Sequence, residues 1–304
     1  MRTVTEALTG IEVGPVVQGG LLQMYPLLSN DIVEPAYDLA GAAFAAGTLT
    51  VTEVSQAGAV PTLRVTNSGA RPVLLLDGEE LIGAKQNRVL NVTVMVPARQ
   101  AVDVPVSCVE AGRWAYRSAA FQDANWLMDA ELRARKMRNV SESMDHGSRA
   151  GDQRKVWDSL AEKTARMSSE SATGAQSAMF EKHHASLEPE VDALRPVERQ
   201  VGAVFAAHGC ISGLEQFDAA QTFRTILPKL VRSHALDALD RARQRTAVFA
   251  AEDPQTFLQA VAGLPSREHP AVGLGREQRL DGPSLVGAGL IVDGRTVHLS
   301  VLAN

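Results

Sequence analysis

Residues 77–110 read DGEELIGAKQNRVLNVTVMVPARQAVDVPVSCVE, and their alternation decides what kind of fold the chain adopts. Side chains on a strand alternate between faces, so along 86–96 Gln86, Arg88, Leu90, Val92, Val94 and Val96 share one face. Along 102–110 the matching face holds Val102, Val104, Val106, Cys108 and Glu110. Two such runs joined by PARQA predict an antiparallel hairpin with both apolar faces on the core. The expected cross-strand pairs are Val94 with Val104, Val92 with Val106, Leu90 with Cys108 and Arg88 with Glu110. Burial fixes the parity, because a one-residue slip turns every side chain to the wrong face, whereas a slide by two preserves it. Gln86, Arg88, Cys108 and Glu110 then continue a buried face and converge at one mouth of the sheet. Glu79 and Glu80, beside the Asp77-Gly78 turn, lie within reach of the same mouth.

Working outward, the N-terminal part is rich in strand signals. LTVTEV (49–54) and TLRVTN (62–67) alternate, and VLLL (73–76) is a short apolar run closed by Asp77-Gly78, whose glycine accepts the positive φ of a tight turn. From about 122 to 187 the pattern is helical and polar. VWDSLAEKTARM (156–167) has helical spacing with Asp152 placed to cap it, and NVSESMDHGSRAG (139–151) and SSESATGAQS (168–177) read as loose connections. VGAVFAAHGCISGLEQF (201–217) reads as strand, His208-Gly209 turn and strand. A helix follows Asp218 and should kink or break at Pro228; another is expected near 254–262. GLIVDGRTVHLSVL (289–302) is a hairpin about Asp293-Gly294. The expected fold class is α+β: a β-rich part at 1–118 with an antiparallel, sandwich- or barrel-like sheet, a helical insertion with mobile loops at 119–190, and a mixed part at 191–304. That last part ends in a β-hairpin and packs on the first as one composite domain.

The 304 residues carry 30 basic and 35 acidic side chains, a net charge of −5 and 5% aromatics. That balance argues against nucleic acid as a bulk partner and against base-stacking platforms. No apolar run approaches the ~20 residues of a membrane span, so no membrane partner is expected. Glu6 stands where an export signal would need its apolar core. Cys108 and Cys210 are too far apart for a CxxC site, and a reducing cytoplasm is the expected setting. The sequence does not fix the oligomeric state.

The dense polar residues of the mouth are the parts needed to bind a small anionic, phosphate- or ribose-bearing ligand: carboxylates, amides and a guanidinium. A glutamate there could also activate water as a general base. An isolated Arg–Glu pair across strands is more often a satisfied ion pair, and Gln and Asn often tie down turns. Cys108 aligns with Leu90 and Val106 and has no histidine near it in sequence, which suits a small buried hydrophobe better than a nucleophile. No histidine spacing suggests a metal site, and no P-loop or GxGxxG fingerprint specifies a cofactor. Glu79, Glu80 and Asp77 offer the carboxylates for a divalent cation, although adjacent glutamates on a turn more often face solvent. His183-His184 and the basic run ELRARKMR (131–138) are expected to form solvated helix surface.

GEELIGAKQNRVLN (78–91) and VSCVEAGRW (106–114) resemble the uncharacterised family named for its association with ADP-ribosylglycohydrolases and rhodanese–phosphatase-superfamily proteins. VGAV (201–204) and LPKLVRSHALDAL (227–239) extend the resemblance over most of the chain. The resemblance implies a role in NAD-derived or ADP-ribose metabolism. The matching positions are Glu79, Glu80, Lys85, Gln86, Asn87, Arg88, Asn91, Cys108, Glu110, Arg113 and Trp114. The leading expectation is a hydrolase acting on an ADP-ribose-like nucleotide. Lys85, Arg88 and Arg113 would hold the diphosphate, Gln86, Asn87 and Asn91 would bond ribose hydroxyls, and Glu80 or Glu110 would act as the base. The alternative is a non-catalytic sensor or scaffold that recruits a partner through its helical insertion.

Overall fold

The computed structural model of the chain describes residues 4–55, 58–244 and 253–303. The fold is α+β, built from antiparallel sheets and the helices α1 (Ala40–Ala45), α2 (Ala130–Met144), α3 (Gln153–Arg166), α4 (Ser177–Ala193), α5 (Ala220–Gln244) and α6 (Pro254–Ala262). The largest sheet runs in the spatial order Glu12–Val13, Gln23–Leu28, Gln200–Ala207, Cys210–Phe217, Arg295–Ala303, Leu285–Val292, Arg276–Asp281 and Ser266–Pro270. A strand from the N-terminal part thus pairs with the C-terminal strands, Tyr25 opposite Val204. Two of its hairpins turn on the sequences the alternation singles out. His208 and Gly209 have φ of 52° and 80°, and Asp293 and Gly294 have 49° and 75°, the left-handed pair that matches strand twist in a two-residue turn.

Alternation also sorts the core. Ala203 and Phe205 face one core together with Phe223, Leu230 and Val231 of α5. Val204 and Ala206 face the other side, against Val4, Phe257 and Val261. Ala130 and Ala134 let α2 settle against Val286, Ala288 and Leu302. Helix α5 runs unbroken through Pro228, contrary to the break its sequence predicts. Tertiary packing of its apolar stripe holds the helix across the missing N–H.

The motif lies in a second sheet, ordered Phe121–Leu127, Glu79–Gly83, Arg88–Leu90, Gln100–Cys108, Thr62–Asn67 and Leu49–Glu53. The predicted parity holds, but the register slides by two, giving Val106 opposite Leu90 and Cys108 opposite Arg88. The reason is a break in the 86–96 strand. Asn91 makes the last bond of this pairing, its N–H donating to the Pro105 carbonyl at 3.0 Å, while its side chain accepts from Ser107 at 2.8 Å and donates to the Arg149 carbonyl at 3.0 Å. Val94–Val96 then joins Val73–Leu75 and Asp38–Leu39 in a separate small sheet instead of pairing with 102–104.

The run ELRARKMR is not a solvated face. Arg133 and Lys136 are buried, Arg133 paired with Glu215 and Lys136 with Asp77. Helix α3 is fixed likewise, through a buried Lys163 that reaches Asp129 and Asp237. Among the described residues no helix is long and apolar enough to cross a membrane.

Candidate functional site

The motif residues come together as a buried polar network around Asn87. Its side-chain amide donates to Glu80 Oε1 at 3.2 Å, and its backbone N–H donates to Glu110 Oε2 at 3.1 Å. Asn87 Oδ1 accepts from Gly83 N and from Arg113 Nη2. One residue therefore spaces two carboxylates.

Their environments differ. Glu80 is fully buried and receives hydrogen bonds from Trp126 Nε1 and Gln176 Nε2, both at 2.7 Å, besides the Asn87 amide. All three donors are neutral. Burial therefore dominates and pushes its carboxyl up to about 7, against the opposing pull of those hydrogen bonds. Glu110 is also buried, which alone would raise it. The Arg113 guanidinium at 2.6 Å, the Asn87 N–H and the Thr173 hydroxyl at 2.8 Å outweigh that and hold it below the usual carboxylate range. Arg113 is aimed by the Ala84 carbonyl, which accepts from Nη1 at 2.7 Å.

The segment 168–176 closes this pair off. Besides Thr173 and Gln176, the Thr173 carbonyl accepts from Gly112 N at 2.8 Å, and Gln176 N donates to the Val109 carbonyl at 2.9 Å. The serine-rich stretch is seated on the carboxylates at its C-terminal half.

Gln86, Arg88 and Cys108 lie on the opposite side of the strand. Arg88 pairs with Leu81 across the ladder, whereas Glu80 pairs with Val89, so Glu80 and Arg88 point to different faces. Gln86 joins the two sides, donating to the Glu110 carbonyl at 2.8 Å and accepting from Arg88 Nη1 at 3.1 Å. Burial pushes the Cys108 thiol up to about 11, with Arg88 opposing, so the sulfur stays protonated at neutral pH. Trp114 is exposed, with the Lys85 ammonium 5.2 Å from its ring centre.

Two motif residues go elsewhere. Glu79 bonds Lys229, which also binds Asp123, and Asn91 braces the connection between α2 and α3 through the Arg149 carbonyl. Glu79, Glu80 and Asp77 are buried rather than solvent-facing, and they enter three separate networks. No group of three or more potential metal ligands occurs among the described residues. His183 is buried and bonds Ser169, while its neighbour His184 is exposed. Sequence reasoning missed Trp126, Thr173 and Gln176, which lie far along the chain. The clustering of Trp114, Trp126 and Trp157 beside the junction is the one sequence signal that points toward them.

A family model described as the ARG and Rhodanese-Phosphatase-superfamily-associated Protein domain matches residues 10–302. The chain belongs to that family, whose name associates it with ADP-ribosylglycohydrolases. No curated protein and no solved structure matches the chain.

Proposed function

We propose that this member of the family binds an ADP-ribose-type nucleotide and hydrolyses a bond at the anomeric carbon of its ribose. The observation that carries the reading is the Glu80–Asn87–Glu110 arrangement: two carboxylates one residue apart in space, one pushed up to about 7 and the other held low. Environments that separate two carboxyl groups in this way assign acid–base roles. Glu80, titrating near neutral pH, takes the proton of the attacking water. The water oxygen bonds the anomeric carbon as the old bond breaks, and its electron pair departs with the leaving group. Glu110, kept anionic by Arg113, opposes the positive charge that develops on the sugar. Lys85 and Arg113 supply positive charge for the diphosphate, and Gln86 and Asn87 supply amides for hydroxyls.

Substrate entry requires the 168–176 segment to lift, since it covers both carboxylates. The non-catalytic scaffold reading has less support. The insertion places Arg133, Lys136 and Lys163 in internal pairs rather than on a partner-facing surface. Calorimetric titration with ADP-ribose and NAD, comparing the wild type with Arg88→Ala and Glu110→Gln, tests the reading. Binding that weakens in both variants supports it, and equal, negligible heats in all three would sink it.

A further inference from the structure

Across the strand from Glu80 lies an ion pair that the described residues around it leave incomplete. Glu53 ends the strand Leu49–Glu53 with its side chain 3% exposed, and the Arg88 side chain is fully buried. Arg88 Nη2 and Glu53 Oε1 approach to 3.8 Å, too far for a hydrogen bond. Among the described residues, neither Glu53 oxygen has a hydrogen-bond partner, and neither do Arg88 Nε and Nη2. Buried polar atoms are almost always paired, so four unpaired atoms facing one another, each closed to solvent in this state, are groups that a ligand satisfies once the surrounding chain opens. The guanidinium is not adrift. Its Nη1 is held by both the carbonyl and the side-chain oxygen of Gln86 at 3.1 Å, which sets where the remaining N–H groups point.

The wall of this place is aromatic. The Arg88 guanidinium carbon lies 5.5 Å from the centre of the Trp114 ring, and Trp114 and Tyr116 are 47% and 54% exposed. Gly58, at φ +76°, passes so close that a Cβ there would stand 3.3 Å from both Glu53 Oε2 and Trp114 Cζ2. Backbone that must come this near favours glycine.

We propose that Glu53 and Arg88 form a subsite for the vicinal diol of a ribose whose base stacks on Trp114. A lone buried arginine would suit a phosphate. With Glu53 beside it the pair is neutral overall, and the carboxylate repels an anion while accepting from two adjacent hydroxyls. The guanidinium donates to the same hydroxyl oxygens, completing all four orphaned atoms. The half-exposed indole, with Lys85 and Arg88 over its ring, supplies the sequence-tolerant aromatic surface on which a base stacks. The proposal deepens the hydrolase reading and rests on it for the identity of the ligand as a nucleotide. It adds Glu53, which lies outside the family-like motif.

The test is calorimetry with ADP-ribose, AMP, 2′,3′-dideoxy-AMP and ribose 5-phosphate, on wild type, Glu53→Gln and Trp114→Ala, with melting curves confirming folded protein. Loss of the two hydroxyls should weaken AMP binding at least about tenfold, as expected for lost charge-assisted hydrogen bonds. Glu53→Gln should bind AMP and its dideoxy form alike. Trp114→Ala should weaken AMP but not ribose 5-phosphate. If wild type binds AMP and dideoxy-AMP equally, or Glu53→Gln binds AMP as wild type does, ordered water fills the place and the subsite is wrong, even if ADP-ribose is bound and hydrolysed. If AMP shows Glu53-dependent diol discrimination while no ADP-ribosyl bond is cleaved, the subsite stands and the hydrolase reading falls. No heat with any ligand overturns both.

Discussion

Gln176 Nε2 donates to Glu80 Oε2 across 2.7 Å, tying the residue just before α4 to the most buried carboxylate of the motif. With Trp126 and Asn87, the bond gives Glu80 a complete set of donors and no positive partner. That combination makes the carboxylate both a structural joint and a group poised to exchange a proton.

Stability should therefore fall as pH rises through this group. The folded carboxyl titrates near 7 and the unfolded one near ~4.3, so between those values the folded state binds more protons, and stability is fully present below the lower value. The loss approaches about 4 kcal/mol by pH 8 at ~1.4 kcal/mol per pH unit. Urea titrations from pH 4.5 to 8 should show this slope in wild type and a flatter one in Glu80→Gln; parallel curves would show that Glu80 does not titrate there.

Gly112 controls the cover over the carboxylates without touching them. A Cβ at this position would meet the Thr173 Cα at 2.9 Å and the Thr173 carbonyl oxygen at 3.1 Å, backbone atoms that cannot turn aside. Gly112→Ala should displace the 168–176 segment and destabilise the protein by about 1–3 kcal/mol, in the range for overpacking. Proteolysis within 168–176 should quicken; an unchanged cleavage rate and melting temperature would show that the contact relaxes freely.

Much of the strand scaffold was legible because burial writes a period of two into the sequence. TLRVTN, the parity of Arg88 and Cys108, and the turns at His208-Gly209 and Asp293-Gly294 all follow from it. The two-residue slide was not legible, since it arises where Asn91 takes partners at Ser107 and Arg149 and ends the strand. Buried charge was the larger blind spot. Arg133 and Lys136 look like a wet helix face until Glu215, 82 residues away, and Asp77, 59 residues away, supply their partners. Glu53 escaped notice for the same reason, sitting on an ordinary alternating strand far from the motif it joins.

Lys163 offers a sharp test of how the helices are anchored. It lies between Asp129, which also caps α2 through Leu132 N at 3.1 Å, and Asp237 of α5. Lys163→Met leaves two buried carboxylates without their cation, a loss expected to cost about 3–5 kcal/mol. Equilibrium unfolding in urea measures it, and a cost below about 1 kcal/mol would mean the carboxylates find other partners.

Cys108 should be chemically quiet. Its thiol is buried and pushed up to about 11, so almost none is thiolate at neutral pH. Native protein at pH 7.5 should react with a thiol reagent only as fast as it unfolds, and Cys108→Ala should keep any hydrolytic activity. Rapid native labelling of Cys108, or activity lost in Cys108→Ala, would return it to the list of nucleophiles.

The central claim is that Glu80 is the base of a hydrolytic site. The most direct measurement is release of free ADP-ribose from an ADP-ribosylated substrate by wild type and Glu80→Gln, alongside the affinity of each for ADP-ribose. Turnover should drop roughly 100-fold or more in the variant, the scale of a general base, while affinity changes only a few-fold. Equal turnover in the two proteins, or none in either, would contradict it.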